Sequence, residues 1–444
     1  MTKKIKFLTI LLIAAFVLGG VFNGAALAQS KPTLRVFYGS VGDIAQDEAI
    51  LKRWADENNV NVEIVYASQS ATEYLAQLQQ LLAARSTDID LIQFDVIWPG
   101  ILAPNMLDLG PALEASGMKD MFYPRILANN TVDGKVVGLP WFTDAGLLYY
   151  RTDLLEKYGF SEPPKTWDEL EQMAKTIQDG ERAAGNAEFW GFVWQGNAYE
   201  GLTCDALEWV FSNGGGSIVE VDKTISINNE AAIKAIERAA RWVGTISPEG
   251  VTTYQEEDAR RVFQAGNAAF MRNWPYAYVL GQGGADGTQE TAIKDKFAVT
   301  ALPAGDSGKP AAALGGWQLG VSAYSTNPEL ATQLALWLTA PEQQKERWLK
   351  LNNLPTMPAI YQDPDVLKAT PWVADLIPVF ENATPRPSTV TAALYNDVSV
   401  AFFTAVHDVL TKKKDAATAL EDLELQLENI LGSDFKVGPP PPIN

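Results

Sequence analysis

The stretch Gly138-Leu-Pro-Trp-Phe-Thr-Asp-Ala-Gly-Leu-Leu-Tyr-Tyr-Arg151 sets one carboxylate, Asp144, in an apolar and aromatic run. A charge flanked by Trp141 and Phe142 needs a partner if it is buried, because an unpaired buried charge is expensive. That partner is either a protein cation or a polar ligand. Sugars suit such a place: their hydroxyls donate to carboxylates while their C–H faces lie on aromatic rings. Catalytic chemistry finds less support. The only histidine, His407, lies in the helical-looking run Ala405-Val-His-Asp-Val, far in sequence from the only cysteine, Cys204. A serine or cysteine triad therefore lacks its usual imidazole arrangement, and zinc lacks ligands. Asp88-Ile-Asp90 is too short for a calcium loop, and Asn213-Gly-Gly-Gly-Ser217 lacks the lysine of a phosphate-binding loop. No catalytic residue, metal ligand or cofactor is expected. Cys204, in the helix-like run Leu202-Thr-Cys-Asp-Ala-Leu-Glu-Trp209, reads as a small buried hydrophobe.

The elements that must position Asp144 begin as alternating strands and helices. Residues 34–38 read as a buried strand, the segment around Ile50, Leu51 and Trp54 as a helix, and Val60, Val62 and Ile64 alternate as a second strand. Ser70-Ala-Thr-Glu73 is a capping box opening a helix with Leu75, Leu78 and Leu82 on one face. Residues 90–95 form a third strand, ended by Trp98-Pro-Gly100. This order implies a largely parallel sheet. It puts Asp95 at the carboxyl end of a strand, where open α/β sheets hold ligands. After Gly138 helices dominate. Thr166-Trp-Asp-Glu169 caps a helix carrying Leu170, Met173 and Ile177, and strands return at 268–272, 297–302 and 317–322. A helix over 327–338 follows. Leu420, Leu423, Leu427 and Leu431 recur at helical spacing, before a tail of Gly438 and four prolines that cannot continue a helix.

Lys3, Lys4 and Lys6, the uncharged run 7–21 and Ala26-Leu27-Ala28 read as a secretory signal cleaved near Ala28. That run is shorter than the ~20 residues of a spanning helix. No cysteine follows the cleavage site, which excludes lipid attachment there and favours a periplasm. The full chain carries 35 basic and 54 acidic residues, net −19. Removal of a leader with three lysines and no acid takes the net charge to −22. Such a balance disfavours nucleic acid and anionic lipid as partners. The remaining length, roughly 416 residues, exceeds the ~250–300 at which single cores stop growing, so two domains are expected. One cysteine precludes an internal disulfide.

Further segments stand in a fixed order with 138–151: Trp190-Gly-Phe-Val-Trp-Gln-Gly196, Tyr199-Glu-Gly201, Asn273-Trp-Pro-Tyr276, Gly315-Gly-Trp317 and Phe380-Glu-Asn-Ala-Thr-Pro-Arg-Pro387. With them the chain resembles, over nearly its whole mature length, the extracellular solute-binding proteins that serve sugar ABC importers. The trehalose/maltose-binding branch is the most similar. The resemblance implies a two-lobed α/β periplasmic-binding-protein fold, each lobe a mostly parallel sheet flanked by helices, with the ligand cleft between lobes. It implies discontinuous lobes: 29–138 and 295–340 in the first, 139–294 and 341–438 in the second, with crossovers near Leu139, Lys294 and Ala340 and a tail at 439–444. It also implies a monomeric receptor, not an enzyme. That receptor captures a di- or small oligosaccharide, of the trehalose or maltose type, for the membrane permease of an ABC importer whose ATPase is a separate chain.

By the same resemblance, Asp43, Asp95 and Asp144 take sugar hydroxyl hydrogens, Arg386 supplies donors, and Trp274 and Trp317 supply stacking faces. Gly315 and Gly316 let the backbone approach the ligand, and Tyr199 is a weaker member. Each residue has a structural alternative. Asp43 caps the following helix, Asp95 makes an Asx turn before Pro99, Arg386 pairs with Glu381, or Trp274 is ordinary core. Relatives often carry glutamate at Asp43, tyrosine at Phe142 and an arginine on the second helix, where 69–82 has none. Two rival functions use the same residues. A glycosidase would employ Asp43, Asp95 and Asp144 as paired carboxylates, and an exported sensor or adhesion module would bind sugar without transport.

Overall fold

A computed structural model describes residues 31–442 apart from Ser40. The secretory signal read over 1–28 lies outside the described residues. The chain forms two lobes, each built on one mixed sheet. The first sheet begins with β1 (Thr33–Tyr38), α1 (Ile44–Asn58), β2 (Asn61–Tyr66), α2 (Ala71–Ala83) and β3 (Leu91–Asp95). Asp43 and Ser70 cap the two helices through their side chains, as the sequence around each requires. The strands β2, β1 and β3 are parallel neighbours, as βαβ connections dictate.

The next strand is β4 (Leu139–Ala145), and after one residue, Gly146, comes β5 (Leu147–Arg151). Then follow α3 (Trp167–Ala183), β6 (Trp190–Val193), α4 (Glu200–Ser212), α5 (Glu230–Trp242), α6 (Glu256–Gln264), β7 (Ala268–Asn273), β8 (Phe297–Thr300) and β9 (Leu314–Val321). The first sheet has the order β2-β1-β3-β9-β4 and the second β8-β5-β7-β6. β9 runs antiparallel to both β3 and β4, and β5 runs antiparallel to both β7 and β8. The sheets are thus mixed rather than mostly parallel. β4, β8 and β9 border the crossings between lobes rather than closing a βαβ unit, so nothing forces them to run parallel.

The strand pairing also moves the expected crossovers. β4, expected in the second lobe from Leu139, pairs with β9 in the first sheet, so the chain crosses at Gly146. β8 pairs with β5 in the second sheet, so the return falls between Thr300 and Leu314 rather than near Lys294. The helices α7 (Pro328–Leu338) and α8 (Pro341–Leu351) stay with the first lobe, where Arg53 of α1 holds Glu346 at 2.5 Å. Thr143 donates to Leu354 at 2.9 Å and Thr389 to Asn129 at 3.3 Å, so the third crossing follows Thr389 rather than Ala340. Strand periodicity carries no mark of these changes, because β4 and Gly146 and β5 read as one alternating run. The crossing residue must be glycine for a packing reason: a Cβ there would overlap the Glu208 carboxylate.

Helices α9 (Tyr395–Leu410) and α10 (Ala416–Leu431) complete the second lobe against α4 and α5. Among the described residues only Ser388–Leu410 has the length and hydropathy of a membrane span. Within it Val398, Phe402 and Val406 are fully buried, so this is a core helix of the lobe. Trp209 on α4 meets Trp194 and Trp242 edge-on, at 5.0 and 5.8 Å between ring centroids, and lies in the core of the lobe.

Candidate functional site

Sheet register gathers the first-lobe residues. Asp95 ends β3 and lies opposite Trp317 of β9, while Asp144 near the end of β4 lies opposite Gly315. Since β9 is antiparallel to both neighbours, its first residues meet the last residues of β3 and β4. Three segments distant in sequence therefore present Asp95, Asp144, Gly315 and Trp317 at one sheet end. Gly315 is forced: a Cβ there would stand 2.9 Å from the Trp274 ring and 3.1 Å from Asp144 Cβ. The second lobe supplies Trp274 directly after β7, its carbonyl accepting from the Tyr149 hydroxyl at 2.7 Å.

These residues border a cavity of about 1040 Å³, counting its mouth, between the two lobes. Asp43, Asp95, Asp144, Trp274, Gly315, Gly316, Trp317 and Arg386 all line it. Tyr199 does not. It is buried at the start of α4 and its hydroxyl donates to Glu256 at 2.6 Å, while the other Glu256 oxygen accepts from Trp274 Nε1 at 3.3 Å. Tyr199 thus lies beneath the site and orients the carboxylate that holds Trp274. Asp43 lines the cavity and also caps α1, accepting from Gln46 N–H at 3.4 Å. Asp95 likewise keeps its Asx turn, taking Ile97 N–H at 3.3 Å.

Arg386 is buried between lobes. Its Nη2 donates to Asp95 at 3.0 Å and its Nη1 to Glu200 at 2.8 Å, and Glu381 is not its partner. Glu200, at the first turn of α4, also donates its backbone N–H to Thr72 of α2 at 3.1 Å. These contacts close the cleft. Arg272, below Trp274, is held by Asp205 at 3.0 Å and Glu208 at 2.5 Å, and its guanidinium lies 4.0 Å from the Trp274 ring centroid. One face of Trp274 is thereby covered, which leaves the second as the face a ligand can cover.

Asp144 differs from every other carboxylate around the cavity. It is 9% exposed, and no hydrogen bond or ion pair is formed by its side chain among the described residues. Burial pushes its carboxyl well above the usual range; the nearby Asp95 adds to this and Arg272 opposes it. Asp95 is pushed up to about 6, first by burial, against the lowering pull of Arg386. A donor that bonds to the ionised forms stabilises them, so ligand binding must lower both pKa values and release protons. We expect affinity for a polyhydroxylated ligand to fall as pH drops through about 6, with proton release there. Calorimetry in two buffers of different ionisation heat measures it; the same affinity at pH 5 and 7.5 would refute the ligand contact.

Sequence reasoning missed several cavity residues: Asp47, Glu200, Glu256, Arg347 and Asn353. Glu200 alone had a signal, standing beside Tyr199 in a quoted motif. Glu256 reads as an ordinary acidic first turn of a helix, and Arg347 as a surface arginine of α8. His407 donates to or accepts from no cavity group; its Nε2 meets the Thr252 carbonyl at 3.1 Å.

The profile of the family described as bacterial extracellular solute-binding protein matches residues 38–345. The chain is 51% identical over 379 residues to a probable ABC transporter-binding protein of Deinococcus radiodurans, covering 85% of this chain and 89% of that one. It is 26% identical over 385 residues to the maltodextrin-binding protein MdxE of Bacillus subtilis, with 84% of each chain covered. Among solved structures, maltose-bound MalE3 of T. maritima superposes with a TM-score of 0.84 at 39% identity, over 90% of this chain and 100% of that one.

Proposed function

The chain belongs to the bacterial extracellular solute-binding proteins, and from that premise we propose that it captures an α-linked glucoside of the maltose or trehalose type. It is a sugar-binding protein of an ABC transporter, not an enzyme. In this reading it works in the periplasm as a monomer after loss of its leader, and hands its ligand to the importer's permease. The observation that carries the ligand class is Asp144, a buried carboxylate without a hydrogen-bonding or ion-pair partner among the described residues, in a cavity that Trp274 also lines. Neutral hydroxyls satisfy such a group, and the C–H face of a pyranose suits Trp274. Asp43 and Asp95 add acceptors, Arg386 a donor, Trp317 a second ring, and Gly315 with Gly316 close backbone approach. The likeness to a maltose-bound structure and to a maltodextrin-binding relative supports the choice of glucoside.

A melting panel of maltose, trehalose, sucrose, maltotriose, mannitol and amino acids tests this. A ligand at 100 times its Kd adds about 2.7 kcal/mol to native stability. Maltose or trehalose should raise the melting temperature, and Asp144→Ala should weaken binding about ten- to a hundredfold, the worth of a charged hydrogen bond. Stabilisation by amino acids and by no sugar would sink the proposal.

A further inference from the structure

Glu208 of α4 is fully buried, and its carboxylate meets the first two crossings between the lobes at once. At the first, the Gly146 backbone lies so close that a Cβ there would overlap Glu208 Oε1 and stand 2.7 Å from Arg272 Nη2. At the second, the same Oε1 accepts the N–H of Ala313 at 3.0 Å, just where the chain enters β9. The hold extends toward the third crossing. The Leu314 N–H donates to the Thr384 carbonyl at 2.8 Å, and the Thr384 N–H donates to the Ala312 carbonyl at 2.7 Å. One acid of the second lobe thus grips the backbone on which the lobes turn.

The cation that Glu208 holds leads to the cavity. Arg272 gives it two charged hydrogen bonds, Nε to Oε2 at 2.9 Å and Nη2 to Oε1 at 2.5 Å. Its guanidinium lies against the Trp274 ring, 4.0 Å from the centroid. Oε1 is therefore shared between the group that supports Trp274 and the backbone of a crossing. Trp274 also touches the β9 entry directly, since a Cβ on Gly315 would stand 2.9 Å from its ring. Asp205 lacks half of this arrangement. It pairs with Arg272 at 3.0 Å and accepts the Gln195 N–H at 2.9 Å, both inside the second lobe.

We propose that Glu208 is a positioning residue for ligand binding, which sets the angle between the lobes and ties that angle to Trp274. It does not line the cavity itself. The inference rests on the reading that Trp274 carries a sugar ring. A ring on Trp274 holds the indole against Arg272, Arg272 fixes Glu208 Oε1, and Oε1 fixes Ala313 and fills the space over Gly146. Such a packed, hydrogen-bonded chain makes the occupied cavity and the closed cleft stabilise each other.

Gly146→Ala puts a methyl group where Oε1 stands, and Glu208→Asp withdraws the carboxylate by one methylene. By calorimetry Gly146→Ala should bind maltose about five- to a hundredfold more weakly, the range for an overpacked contact. Its radius of gyration at saturating maltose, from small-angle scattering, should exceed that of wild type. Adding Glu208→Asp should recover both, at least in part. A role in packing alone would lower the melting temperature but leave affinity and the maltose-bound radius unchanged, and the losses of the two substitutions would add; either result overturns the proposal. Should Gly146→Ala not fold, a second pair decides. Glu208→Asp alone loses Ala313 and should bind maltose about five- to tenfold more weakly, as loss of one hydrogen bond implies. Asp205→Asn takes a charge from Arg272 but reaches no crossing, and should stay within about threefold of wild type. Equal affinities in these two variants overturn the proposal. Trp274→Ala separates it from the reading beneath it. If that variant loses maltose while the Glu208 and Gly146 variants bind like wild type, only the hinge role falls; if Trp274→Ala binds like wild type, the sugar reading of Trp274 falls as well.

Discussion

Replacing Trp274 by alanine is expected to weaken binding of the best panel sugar about thirtyfold to several hundredfold. The estimate follows from the ~2–4 kcal/mol that a central, desolvated tryptophan contributes in a binding site. Trp274 meets those conditions: it borders the cavity, Arg272 stacks on one face, and Glu256 fixes its indole N–H. Its orientation is thus set before any ligand arrives, and little ordering entropy remains to oppose binding. The substitution also uncovers Arg272, but that cation keeps Asp205 and Glu208, so the lobe should stay folded. Trp209→Phe is the matched control. It removes aromatic volume from a buried three-tryptophan cluster and should lower stability by ~0.5–3 kcal/mol while leaving affinity unchanged. Calorimetry and melting on both variants decide the matter. Affinity within threefold of wild type for Trp274→Ala, or a folded Trp209→Phe that no longer binds, would remove Trp274 from the site.

What sequence could and could not carry follows from the range of each physical signal. Asp43 and Ser70 announce their helices because capping acts over three residues. The strands of 34–38 and 90–95 announce themselves by continuous apolar runs, and Asp95 at a strand end follows from them. Lobe membership is different. β4 and β5 differ only in which sheet accepts their hydrogen bonds, and Gly146 between them breaks no pattern. Tyr199 shows the same limit at a single side chain. A motif placed it near the ligand, but only the fold shows that its hydroxyl is spent on Glu256. Arg347 and Asn353 left no mark because their meaning arises where α8 and the following turn pass β4, a contact of about two hundred residues' separation.

Arg386 carries the largest expected effect on stability. Its guanidinium joins Asp95 of the first lobe to Glu200 of the second, with both carboxylates buried. Arg386→Met should therefore cost about 3–5 kcal/mol, because it leaves two buried acids without their cation. The loss should depend on pH, with a sign fixed by Asp95. Its folded pKa, about 6, already stands above the ordinary 3.8, and Arg386 acts to lower it. Without the arginine the folded pKa rises further. A raised folded pKa contributes stability below the unfolded value and loses it as pH rises through the folded one. The variant's deficit against wild type should therefore widen from pH 5 to pH 8, while Arg386→Lys, which retains the charge, should recover part of it. Urea midpoints at pH 5, 6.5 and 8 read this directly. A deficit below ~1 kcal/mol at every pH would mean that the two acids find other partners and that Arg386 does not clasp the lobes.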